Sequence, residues 1–180
     1  MRRLLIAIIT AMTFAWVPPA TADVPVLCLG LDINDLRASD ADDFLTGSDG
    51  VDVIALGDGS DQYFAGTGAD VICGNDGADV VAGEAGADRL NGGVGDDDVA
   101  GLAGPDEANG NTGSDEVAGG GGNDTVRAGS DDLPDALYDG AGNDVIVGSA
   151  EDTWYRACDG DDDDHDAFTG LILDDPNTCL

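Results

Sequence analysis

Single apolar residues return at a fixed interval through the middle of the chain. Ile54, Tyr63, Ile72, Val81, Leu90, Val99, Ala108, Val117 and Val126 stand nine residues apart. Two positions before each of them is an aspartate, at 52, 61, 70, 79, 88, 97, 106, 115 and 124, and two positions before that a glycine. Five residues before most of these aspartates stands another glycine: Gly47, Gly74, Gly83, Gly92, Gly101, Gly110 and Gly119. Alternation around one apolar residue predicts a very short strand with its middle side chain inward. Glycine reaches positive φ without penalty, so the first six residues of each repeat predict a tight turn. One strand and one turn per nine residues make two of each per 18-residue coil, and a fixed period of this kind predicts a solenoid.

The register is unbroken from 47 to 127. An eleven-residue turn, 128–138, then carries Asp135 and Leu137. A regular turn at 139–147 follows, with Gly140, Gly142, Asp144 and Ile146. A degenerate turn with Asp43 and Leu45 precedes the run. Leu56 and Ala65 replace the first glycine, and Glu84 and Leu102 occupy the second position. The turn 101–109, with Leu102, Pro105 and only Ala108 inward, departs furthest from the pattern.

The start of the chain has another character. Arg2-Arg3 precedes an apolar stretch from Leu4 to Val17, then Pro18-Pro19 and Ala20-Thr21-Ala22. This is the layout of a secretory signal cleaved after Ala22, and it is short for a membrane span. The chain is therefore expected outside the cell. Composition narrows the choice of partners. There are 38 acidic residues, six arginines and no lysine, for a net charge of −32. A nucleic acid or an anionic bilayer would repel such a chain, so neither nucleic-acid binding nor membrane insertion is expected, whereas small hard cations are favoured. With 28 glycines and only 5% aromatics, large side chains are too few for an ordinary core.

The nine-residue consensus is G-(G/N)-x-G-x-D-x-U-x, with U apolar, matched most fully at Gly119–Arg127 and Gly92–Ala100. It resembles the RTX, or hemolysin-type, calcium-binding nonapeptide repeats, above all the small secreted actinobacterial proteins made of little else. The resemblance implies an all-β fold, a right-handed parallel β-roll with coils stacked at about 4.8 Å and short N- and C-terminal caps. It also implies that turns two apart stack on one edge, giving the pairs 52/70, 61/79, 70/88, 79/97, 88/106, 97/115 and 106/124. Carboxylates so stacked repel one another, and Ca²⁺, which accepts carboxylates and turn carbonyls together, would turn that repulsion into a cross-link. The implied ligands are Asp52, Asp61, Asp70, Asp79, Asp88, Asp97, Asp106, Asp115, Asp124 and Asp144. Position three adds Asp49, Asp58 and Asp76, for about seven interior ions. Aspartates that merely shape turns by accepting backbone hydrogen bonds are the competing reading.

The expected organisation is a signal peptide over 1–22, an N-terminal cap over 23–46, the repeat roll over 47–147 and a C-terminal cap over 148–180. Four cysteines suggest two disulfides, of three connectivities. Cys158–Cys179 encloses the segment without repeats and is favoured; Cys28–Cys73 would then require the N-terminal cap to fold back. The acidic run Asp159–Asp166 lacks the glycine and glutamate of an EF-hand and predicts a solvated loop. His165 has no nucleophile partner in the sequence, so no catalytic residue is assigned. The leading expectation is a secreted, non-enzymatic calcium-binding protein. An adhesion module presenting the rigidified roll to a protein or cell wall stays open. A carboxylate-based hydrolase is disfavoured, because the carboxylates are periodic and aromatics to hold a sugar are few.

Overall fold

The computed structural model describes residues 27–28, 31–32, 36–129, 131–155 and 167–169. The expected signal peptide, Cys158, Cys179 and the acidic run with His165 lie outside the described residues.

Two stacks of short strands make up the fold. The first contains β3 (Leu36–Arg37), β5 (Val53–Asp58), β8 (Val71–Asp76), β10 (Arg89–Val94), β12 (Glu107–Thr112), β14 (Thr125–Gly129), β16 (Val145–Val147) and β18 (Ala167–Thr169). The second contains β4 (Phe44–Thr46), β6 (Gln62–Phe64), β9 (Val80–Gly86), β11 (Asp98–Ala103), β13 (Glu116–Gly121), β15 (Ala136–Ala141) and β17 (Thr153–Tyr155), with β7 (Thr67–Gly68) beside β9. The chain alternates between the stacks, and every pairing within them is parallel. This is the parallel β-roll that the repeat implies. A further antiparallel pair, β1 (Leu27–Cys28) and β2 (Leu31–Asp32), stands apart, and β1 lies against β5 and β8.

The apolar column lands where the nine-residue period puts it. In the first sheet Ile54, Ile72, Leu90, Ala108, Val126 and Ile146 are partners in register. In the second, Leu45, Tyr63, Val81, Val99, Val117 and Leu137 are. The two columns face each other as one core, which is one side chain deep on each side. Leu56, Ala65 and Ala128, standing where the repeat wants its first glycine, turn inward and thicken it. Ala55, Val71 and Cys73 form a separate buried patch, to which Val53 is added. Cys73 is disulfide-bonded.

The strands are longer than the three residues expected. β10 to β13 each run six residues, covering positions seven to nine and the next one to three. The physical reason lies in the neighbouring coil. An identical coil on either side offers ladder partners to positions two and three as well, as in Gly93↔Asn75 and Val94↔Asp76. Only positions four to six remain as turn. The eleven-residue turn shifts the register from 18 to 20, and Val117↔Leu137 and Val126↔Ile146 pair as before.

Position four needs glycine for two reasons. Gly122 has φ +148°, and a Cβ on it would collide with the carbonyl oxygen of Gly104 one coil away. Gly121, its neighbour, has no such φ, and the nearest atom to an added Cβ is Leu102 O at 3.7 Å. Gly122→Ala is therefore expected to destabilise the folded roll by at least about 2 kcal/mol. Gly121→Ala should fall within about 0.5 kcal/mol of the parent. Denaturant midpoints would check this, and equal losses would contradict the turn assignment.

Candidate metal centre

The three-residue turns place position six, always aspartate, where the chain crosses between sheets. Asp43, Asp61, Asp79, Asp97, Asp115, Asp135 and Asp152 follow one edge; Asp52, Asp70, Asp88, Asp106, Asp124 and Asp144 follow the other. Along each edge, the backbone N–H of one aspartate donates to Oδ1 of the aspartate one coil on. The distance is 2.8 Å from Asp61 to Asp79, 2.8 Å from Asp70 to Asp88 and 2.9 Å from Asp97 to Asp115. All seven stacked pairs implied by the repeat are joined in this way. At the longer turns the step widens to 20 residues for Asp115 to Asp135 and Asp124 to Asp144.

Oδ1 thus does what a turn-shaping aspartate would do. An asparagine could accept the same bond; the second oxygen is what aspartate adds. In Asp61, Asp70, Asp79, Asp88, Asp97, Asp106, Asp115 and Asp124, Oδ2 is buried and has no hydrogen-bond partner among the described residues. These side chains are at most 4% exposed. The first glycine of the repeat makes room for that oxygen: a Cβ on Gly119 would stand 2.7 Å from Asp124 Oδ2, and one on Gly74 or Gly110 would overlap Asp79 or Asp115. Backbone carbonyls lie nearby. Those of Gly59, Gly77 and Gly95 stack under the next coil on one edge, and those of Gly68, Gly86 and Gly104 on the other. A trough of about 520 Å³ runs along the first edge, lined by Asp79, Asp97, Asp115 and Asp135 with the outer carboxylates of Asp96 and Asp98.

Electrostatics point the same way. Burial pushes the carboxyls of Asp61, Asp70, Asp88 and Asp124 above their usual range. It takes Asp79, Asp106, Asp115 and Asp135 to about 6 and Asp97 to about 7. The backbone N–H bond to each opposes the shift, and neighbouring aspartates add to it at most of these positions. A cation beside Oδ2 would reverse it. Among the described residues no cluster of three or more His, Cys, Asp or Glu surrounds one point. An ion seated here would draw on two stacked carboxylates and complete its shell from turn carbonyls, a mixed oxygen set that calcium accepts. The donor set fits.

A family model described as the RTX calcium-binding nonapeptide repeat matches residues 30–63, 37–72, 74–108, 101–132 and 134–152. This chain belongs to that family. No curated protein matches it. In this RTX roll Asp144 sits in its row with 1% exposure, while Asp52, near the start, is half-buried. Asp49, Asp58 and Asp76 are exposed, and Asp58 and Asp76 are side by side on adjacent strands. Asp43, Asp135 and Asp152 belong to the rows although they were not counted among the ligands. All three carry the repeat's signal, an aspartate two residues before an apolar one, here Leu45, Leu137 and Trp154. Asp152 lies 17 residues beyond Asp135, and no nine-residue count reaches it.

Raised carboxyl pKa values set the pH behaviour of the metal-free RTX roll. Between the ordinary value near 3.8 and about 6–7, the folded state binds protons that the unfolded chain has released. The stabilising effect of protonation is complete below about pH 4 and is lost as pH rises through about 6–7. In chelator, lowering pH from 7.5 to about 4.5 is expected to increase β-structure and resistance to denaturant. Circular dichroism would check it; a metal-free protein that loses structure over that range would contradict it.

Proposed function

We propose that this chain is a secreted, non-enzymatic protein whose RTX roll binds several calcium ions and folds as it binds them. The observation that carries the reading is the run of eight buried aspartates whose Oδ2 lacks a partner among the described residues. A charged oxygen in a dry turn is costly, and eight in succession demand a counter-ion. Asp61, Asp70, Asp79, Asp88, Asp97, Asp106, Asp115 and Asp124 are the proposed ligands, with Asp144 continuing one row. About seven ions fit between stacked pairs. Asp49, Asp58 and Asp76 add exposed carboxylates that raise the local concentration of cations.

Coupling between binding and folding follows from the thin core. One modest apolar side chain per nine residues contributes little against the entropy of ordering them, and the net charge of −32 opposes compaction. Metal binding then supplies the missing free energy, and successive coils fold on one another. Secretion rests on the layout of residues 1–22, and extracellular calcium of about 1 mM suits weak sites of this kind. Among the described residues no helix is long and apolar enough to cross a membrane. The non-enzymatic reading rests on the periodicity of the carboxylates, which repeats one environment instead of building a unique one.

Adjacent residues give the test. Asp97 is 3% exposed and turned into the row, whereas Asp98 is at a strand position facing solvent. Asp97→Ala is expected to remove at least one bound ion per chain or to weaken calcium binding about tenfold or more. Asp98→Ala should leave both unchanged. Equilibrium dialysis with elemental analysis would measure it, and equal losses from the two variants would sink the proposal.

A further inference from the structure

The aspartates at the ends of the rows are satisfied differently from those inside. Asp52 Oδ2 accepts the N–H of Ser48 at 2.8 Å, and both its oxygens lie 3.2 Å from Ser48 Oγ. Asp43 Oδ2 accepts the N–H of Ser39 at 2.7 Å and its hydroxyl at 2.8 Å. At the other end, Asp152 Oδ2 accepts the N–H of Ser149. In each case a serine just inside the turn aims donors at the oxygen that is orphaned in the interior.

The backbone separates the same two groups. From turn to turn through the interior, position two is left-handed: Gly57 at +113°, Gly66 at +101°, Asn75 at +79°, Glu84 at +70°, Gly93 at +128°, Leu102 at +78°, Asn111 at +79° and Gly120 at +106°. Ser39 and Ser48, at the corresponding place, are not in that region. Glu and Leu enter it only at a cost of about 1–2 kcal/mol, so the interior turn imposes this shape on whatever residue it holds. With position two left-handed, its N–H does not reach the carboxylate, and Oδ2 is left for another partner. With serine in ordinary φ, the N–H and hydroxyl fill that role.

We infer that the roll contains at least two kinds of turn: the eight successive turns from Asp61 to Asp124, which take calcium, and the turns at Asp43, Asp52 and Asp152, which serine donors close without metal. The inference rests on the calcium-binding reading above and narrows it, because the repeat alone would count Asp52 among the ligands. The end turns then act as clamps. In the folded roll they close the ends without a metal of their own, and they confine calcium to the interior of each row.

The test compares two neighbours on one ladder in the full-length oxidised protein, with calcium as the probe. Asn keeps the Oδ1 that accepts the ladder bond while removing the charge at Oδ2, so Asp52→Asn and Asp70→Asn are the informative changes. Among the described residues Asp52 receives Ser48 donors, which an asparagine oxygen can also accept. Ions per chain are counted by equilibrium dialysis with elemental analysis. Asp52→Asn is expected to bind the same number as the parent, and Asp70→Asn at least one fewer. Loss of an ion from Asp52→Asn would overturn the two-turn assignment while leaving calcium binding intact. A parent protein that binds no calcium would instead remove the reading beneath it. Should Asp70→Asn fail to fold, the Asp52→Asn count still decides.

Discussion

Carboxylates stacked at strand spacing in a dry turn cannot all stay ionised without counter-charge. Two such charges about 5 Å apart repel by roughly 3 kcal/mol at an effective dielectric of about 20. The roll builds this repulsion twice over, once along each edge, because the ladder that stacks the coils also stacks Asp61 on Asp79 and Asp70 on Asp88. Everything else in the structure accommodates these rows. Glycine at position one leaves space for Oδ2, glycine at position four lets coils approach, and the inward residue stays small enough for the two sheets to meet. On the proposed reading, stability comes from cancelling charge at the edges more than from burying apolar surface between the sheets.

Much of this was legible in the sequence. The inward column from Ile54 to Val126 and the two aspartate rows follow from a period of nine folded into a two-strand coil. The stacked pairs follow from it too, since turns two apart must lie on one edge. Even the eleven-residue turn could be placed, because Asp135 and Leu137 keep their mutual spacing and only the loop between 129 and 135 absorbs the extra length.

Other features were hidden because they depend on neighbouring coils or on backbone angles. Strand length was underestimated, since positions two and three have no strand signature and pair only because an identical coil lies beside them. The split role of the aspartates from Asp61 to Asp124 was equally invisible: sequence gives one residue, whereas Oδ1 holds the ladder and Oδ2 meets no donor among the described residues. Leu102 and Glu84 look like defects in the repeat, yet both adopt the left-handed turn that glycine would. Ser48 looks like one more variable position, and its effect appears only once its N–H and hydroxyl are seen on Asp52.

The central claim is that cancelling the charge of these rows is what makes the chain fold. Chelator-treated protein with its disulfides intact, at pH 7.5 and fixed ionic strength, can be titrated with calcium while far-ultraviolet circular dichroism and small-angle scattering are followed together. The account predicts an expanded, coil-like chain that converts steeply to a compact β-rich one near millimolar calcium, with magnesium unable to replace it because its small octahedral shell suits these turns poorly. A compact β-rich state that persists unchanged in chelator at that pH would contradict it.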